Sequence, residues 1–245
     1  MKLSVREKAI LCGLYLAQHD KQGLDLMGFD SFNEAYNVLG LSIGAKPTSI
    51  KNYRDELDPL FPNARKGWRG RPVRDHCKCI YERFKDRDID ELLSLIIRIT
   101  GGTINISDQT SEQEIKSFAK RLLTGRAAEN FFSQNYQAER EFFDTRAEDV
   151  THTGCGYDFR LHRLTSQDSF VAVEVKGLAT ISGNIVLTSK EYDVADRLRN
   201  DYFIYVVKNF NEDPFAITIR NPINTGLTFK QEKRKFIQIS WRATV

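Results

Sequence analysis

Within GCGYDFRLHRLTSQDSFVAVEVKG, residues 154–177, the groups able to do chemistry are Asp158, Glu174 and Lys176. Glu174 and Lys176 stand two apart in an apolar run. On a strand both project from one face, while Val173 and Val175 anchor the other. Asp158 opens the preceding strand-like run, and a turn around Thr165–Ser169 predicts a hairpin that sets Asp158 beside Glu174. Two carboxylates together with the Val175 backbone carbonyl make a hard oxygen set suited to Mg²⁺, a cation that keeps several of its waters. Mg²⁺ there would activate water towards a phosphodiester, with Lys176 orienting that water or offsetting transition-state charge. A lone Glu-X-Lys on a strand is most often a solvated ion pair of small value. Asp158 and the order of the surrounding elements set this one apart. The sequence contains neither a nucleophile elbow nor a phosphate-cradling glycine loop.

Those residues need a sheet to hold them. From about residue 150 the pattern is strand-like: DFRLHRL, SFVAVEVKGL, NIVLT, YFIYVVKNF and PFAITIRN are short runs rich in Val, Ile, Phe and Tyr. SKEYDVADRLRN lies between NIVLT and YFIYVVKNF, with Tyr192, Val194, Ala195 and Leu198 at helical spacing. YFIYVV is almost wholly apolar, as a central strand covered on both faces should be. Earlier residues are helical in pattern: Ile10, Leu11, Leu14 and Tyr15, then Phe32, Ala35, Tyr36 and Leu39 behind a Ser31 start signal. Residues 89–98 and 111–137 predict two further amphipathic helices, the second with an aromatic series (Phe131, Phe132, Tyr136, then Phe142 and Phe143) that reads as core or subunit interface. The expected organisation is an all-α domain over 1–90, a linker over 91–110, and an α/β (α+β) domain with a mixed sheet over 111–245.

LGLSIGAKPTSIKNYRDELDP has the form of a helix-turn-helix, with the second helix capped by Thr48 or Ser49. Lys46, Thr48, Ser49, Lys51, Asn52 and Arg54 then stand where a recognition helix meets bases and phosphates of double-stranded DNA. The arm ARKGWRGRPVR adds Arg65, Lys66, Arg69 and Arg71 for backbone charge, with Trp68 as a stacking group. Loop 180–184 and the basic stretch 230–236 are further candidate contacts. His76, Cys77 and Cys79 form HCKC, a poor fit to zinc because the usual second ligand pair is missing.

Composition constrains the partners only weakly. The chain has 245 residues, 36 Lys and Arg against 33 Asp and Glu, and 41% hydrophobic residues, which is ordinary for a globular protein. A net charge of +3 does not by itself indicate nucleic acid. No apolar run reaches membrane-spanning length, and the first residues read as a helix and not a signal peptide. Four cysteines in so long a chain predict a reduced, cytoplasmic protein without a disulfide framework.

Asp158…Glu174-Val175-Lys176 resembles the signature of PD-(D/E)XK nucleases. The stretches GYDF, VEVKG, LTSKE and YFIYVVKNF are similar to the C-terminal domain of the plant NO VEIN protein, also found in bacterial restriction and defence proteins. The likeness covers roughly residues 125–222, with Tyr157 where the wider signature has Pro. It implies a restriction-endonuclease-like core with Asp158 and Glu174 as metal ligands and Lys176 as the catalytic lysine. Glu129 in RAAENFF fits a helix glutamate that adds to the metal shell, and Glu191 matches a further recurring position. The expected function is a Mg²⁺-dependent, sequence-specific DNA endonuclease, of type II restriction or phage-defence kind. It is expected to act as a homodimer and to be paired with a cognate DNA methyltransferase. The alternatives are a non-catalytic DNA-binding regulator with a nuclease-like fold, or a nuclease acting on RNA or modified DNA.

Overall fold

A computed structural model describes residues 3–63, 65, 67–68, 70–102, 111–164 and 169–232. Five helices start on side-chain caps, three of them through serines. In α1 (Val5–Leu26) Ser4 and Glu7 form a reciprocal capping box, and Ser111 and Glu114 do the same for α6 (Glu112–Asn135). In α2 (Phe32–Ile43) Ser31 Oγ accepts the Glu34 N–H. The start of α3 (Pro47–Leu57) differs from the sequence expectation: Lys46 is the N-cap and makes no side-chain bond, because Pro47 occupies the first helical position. Helices α4 (Asp75–Phe84) and α5 (Ile89–Ile99) follow. The expected linker at 91–110 therefore begins inside α5, whose Leu92, Leu93, Ile96 and Ile97 are buried; residues 103–110 lie outside the described residues.

The protein is mixed α/β, and its described strands form one five-stranded mixed sheet in the order β1 (Thr145–Asp149), β2 (Phe159–Arg163), β3 (Phe170–Gly177), β4 (Tyr202–Lys208), β5 (Phe215–Arg220). Neighbours are antiparallel except β3 and β4, which are parallel and joined through α7 (Ser189–Leu198). The run NIVLT, expected as a strand, forms none; β3 is already paired on both edges by β2 and β4. Strand β1, by contrast, gave no strand signal: TRAED offers one small apolar residue and lies at the sheet edge.

Period-two alternation divides the sheet into two faces. Val171, Val173 and Val175 of β3, with Phe203, Tyr205 and Val207 of β4, join the core formed by the first six helices. Ala172, Tyr202, Ile204 and Val206 pack instead with Val194 and Ala195 of α7. Every residue from Tyr202 to Val207 is thus buried, as a strand sandwiched between helices requires. Phe132 of α6 is the pivot of the first face, with ring centroids 4.6 Å from Phe159, 4.9 Å from Tyr205 and 6.0 Å from Phe142. Phe143, by contrast, is 75% exposed. Two asparagines fasten α2 to the turn after β4, and a third ties it to α6. Asn33 donates to the Asn211 carbonyl (2.6 Å), Asn37 to those of Phe210 and Glu212 (2.8 and 2.9 Å), and Asn130 of α6 to those of Leu41 and Ser42 (3.1 and 2.9 Å). Among the described residues, no helix is long and apolar enough to cross a membrane.

Candidate active site

The register Phe159↔Val173 puts Asp158 opposite Glu174, although the turn at 165–168 lies outside the described residues. Asp158 continues the ladder through its backbone: its N–H donates to the Val173 carbonyl (3.0 Å) and its own carbonyl accepts from Val150 (2.9 Å). Its side chain takes the next donor, Oδ2 accepting the Val175 N–H at 2.8 Å. The loop delivering Asp158 passes close to α7. Gly156 sits at φ +98°, and a Cβ there would come within 2.8 Å of Val194 Cγ2. The Gly156 carbonyl accepts from Tyr202 Oη at 3.0 Å, which ties this loop to β4.

Glu174 and Lys176 share the α7 face of β3, as their spacing requires. Lys176 Nζ lies 2.6 Å from Glu174 Oε1 and 2.9 Å from Oε2 of Glu191, a residue in the first turn of α7. Glu174 is only 4% exposed. Burial pushes its carboxyl above the usual range, and the Asp158 charge adds to that push against the pull of Lys176. Asp158 is also raised, first by burial, with Glu191 and Asp149 adding to it, while the Val175 N–H and Lys176 oppose. For Lys176, burial favours the neutral amine, but Glu174 and Glu191 outweigh it and hold the pKa above its ordinary value. Asp158, Glu174 and Glu191 open on a cleft of about 250 Å³, lined also by Gly154, Gly156 and Lys190, and Lys176 is held beside it by its two carboxylate partners.

Glu129 reaches the same neighbourhood from α6. Helix α6 packs on the end of β3 at Gly177, where a Cβ would meet Thr124 Cγ2 at 2.8 Å. Glu129 Oε2 pairs with Arg126 Nη1 at 2.7 Å, and Arg126 is in turn held by the Thr100 carbonyl. Burial pushes Glu129 up to about 7 despite Arg126, with the charges of Asp158 and Asp149 contributing. Asp149, at the end of β1, was not singled out in the sequence. Only the β1–β2 pairing, Asp149↔Phe159, brings it near Asp158, and no local motif marks that.

The donor set fits a hard divalent cation: two carboxylates converge in a buried place, where the Asp158 charge adds to the upward push on Glu174. Among the described residues, no three His, Cys, Asp or Glu side chains are grouped so as to hold a metal ion. The HCKC residues lie on α4, where Cys77 is buried, its thiol pushed up to about 12 by burial and Glu56, and Cys79 is exposed.

The expected DNA-facing residues separate into groups. Lys46, Thr48, Lys51, Asn52 and Arg71 are exposed and Ser49 is partly so, with Arg71 stacked over Trp68 at 3.7 Å. Arg54 is not on that surface. It is 8% exposed, donates to the Leu16 carbonyl and Tyr36 Oη, and pairs with Asp20 at 2.8 Å. It falls on the inward stripe of α3 with Ile50 and Leu57. Arg65 also turns inward, pairing with Asp58 and Asp20, and Arg74 with Glu56, so ion pairs fold the basic arm back on α3. Lys66, Arg69 and the tail from residue 233 lie outside the described residues.

A family model described as Protein NO VEIN, C-terminal, matches residues 128–219, a stretch from α6 to β5 that contains Glu129, Asp158, Glu174, Lys176 and Glu191. No curated protein matches the chain. No solved structure matches it either.

Proposed function

We propose that this protein is a Mg²⁺-dependent endonuclease of the PD-(D/E)XK type that cuts double-stranded DNA, as a type II restriction enzyme or a related phage-defence nuclease. The observation that carries the reading is the meeting of Asp158, Glu174 and Lys176 at one end of the β2–β3 pair, mostly buried, with the two carboxylates opening on a cleft. The match to the NO VEIN C-terminal family over this segment supports it.

Asp158 and Glu174 would hold the cation, with the Val175 carbonyl and Glu129 as further donors. Bound there, Mg²⁺ supplies Lewis acidity and a nucleophilic water at neutral pH. The Val175 N–H fixes the Asp158 carboxylate, so that group needs no reorganisation to act. Lys176 places a cation where charge develops on phosphoryl oxygens, and the exposed Lys190 at the cleft rim attracts the phosphate backbone. Lys46, Thr48, Lys51 and Asn52 form the outward face of α3 for reading or gripping the duplex. A chain with one such centre cuts both strands as a homodimer on two-fold DNA. A cognate methyltransferase would protect the host sites.

The test is purified protein with unmethylated phage DNA, in Mg²⁺ or in EDTA, resolved on a gel. Discrete Mg²⁺-dependent fragments are expected. Lys176→Ala should abolish cutting, a loss of about a hundredfold or more, while DNA binding persists. A Lys176→Ala protein cutting at the wild-type rate would refute the mechanism. The second reading is a DNA-binding regulator with a nuclease-like fold and no turnover. Retained binding with no cleavage under any divalent cation would establish that reading instead.

A further inference from the structure

Lys176 has two carboxylate partners, and only Glu174 belongs to the pair that would hold a cation. The other, Glu191, uses a single oxygen for two donors: Oε2 accepts from Lys176 Nζ and from the Thr188 backbone N–H, each at 2.9 Å. Thr188 Oγ1 accepts the Glu191 N–H in return at 3.2 Å, completing the capping box of α7. The cap fixes the Glu191 side chain on the helix itself, whether or not Lys176 is present. The boxes at Ser4/Glu7 and Ser111/Glu114 have the same form, and neither glutamate is ion-paired to a lysine among the described residues.

A divalent cation on Glu174 would compete for Oε1 and repel the ammonium that now sits 2.6 Å from it. Lys176 is mostly buried, with its side chain 20% exposed, and a buried ammonium without a counter-charge is costly. Among the described residues its ion-pair partners are Glu174 and Glu191. We propose that Glu191 is a positioning residue: from the cleft wall it holds Lys176 next to the cleft when Glu174 is engaged by a divalent cation, so that the ammonium stays directed at the phosphodiester and does not contest the cation's ligand. The inference rests on the endonuclease reading above and assigns Glu191 its part in it.

Capping alone is the competing explanation, and Glu191→Gln separates the two. Glutamine serves in a capping box as glutamate does, but it carries no charge to hold Lys176. The variant should melt close to the wild-type temperature. Its kcat with Mg²⁺ should fall about tenfold or more at unchanged KM, as expected for loss of a group acting through another. Its affinity for Ca²⁺, measured by calorimetry without turnover, should weaken severalfold. Wild-type kcat together with wild-type Ca²⁺ affinity in Glu191→Gln would overturn the positioning role and leave Glu191 a cap. A wild-type protein that neither binds Ca²⁺ nor cuts DNA would overturn the underlying endonuclease reading, a failure visible before any variant is made.

Discussion

Glu129 keeps a proton that an exposed glutamate would give up. With its pKa pushed from 4.5 to about 7, the folded protein binds that proton more tightly than the unfolded chain does. Its effect on stability is therefore fully favourable below the ordinary carboxylate range and is lost as pH rises through about 7. Asp158 and Glu174, also raised, act in the same direction. Melting temperatures of the cation-free protein should fall from about pH 5 to pH 8, and Glu129→Gln should flatten part of that fall. An unchanged slope in the variant would place the effect on other groups. The proximity of Asp158, Glu174 and Lys176 was legible because strand alternation and one hairpin are enough to produce it. Arg54 was misplaced for a reason also present in the sequence: positions 50, 54 and 57 share a helical face, and Ile50 and Leu57 needed the core. Asp149 was not legible, since its neighbours come from strand pairing and not from spacing.

At the scale of elements, α6 carries the most. One end of it bears Phe132 in the aromatic cluster against β2 and β4, and the residues beside Glu129 pack on the end of β3. Phe132→Ala should cost about 3–5 kcal/mol in urea unfolding, more than an isolated helix residue would, because it leaves a void between helix and sheet. A loss under about 1 kcal/mol would mean the site collapses around the gap. The central strands and α7 were readable from runs of β-branched and aromatic residues and from helical spacing. NIVLT misled because composition reports strand propensity and not whether a sheet edge is free, and both edges of β3 were taken. The edge strand β1 has one side open and needs few apolar residues, so its sequence says little.

Across the whole molecule, positive charge is spent unevenly. Arg54, Arg65 and Arg74 are committed to internal carboxylates, while Lys46 and Lys51 remain on the surface of α3. In the endonuclease reading, Lys46→Ala and Lys51→Ala should each weaken DNA binding without regard to sequence and lower the salt dependence by about one phosphate contact. Affinities unchanged across a salt series would move the duplex off this face. The asparagine fastenings of α2 bear on how such a protein could work. Asn33 and Asn37 grip the β4–β5 turn, and Asn130 grips the end of α2 from the helix turn next to Glu129. Losing the Asn37 amide would leave the Phe210 and Glu212 carbonyls without that donor, at about 1–3 kcal/mol. Those bonds make α2 part of the same body as the sheet, so in the endonuclease reading the chain would be a ruler and not a hand on a tether. Whatever stretch of duplex α3 meets, the cleft would fall a constant number of base pairs away, and the cut ends would share one offset from the site that was read.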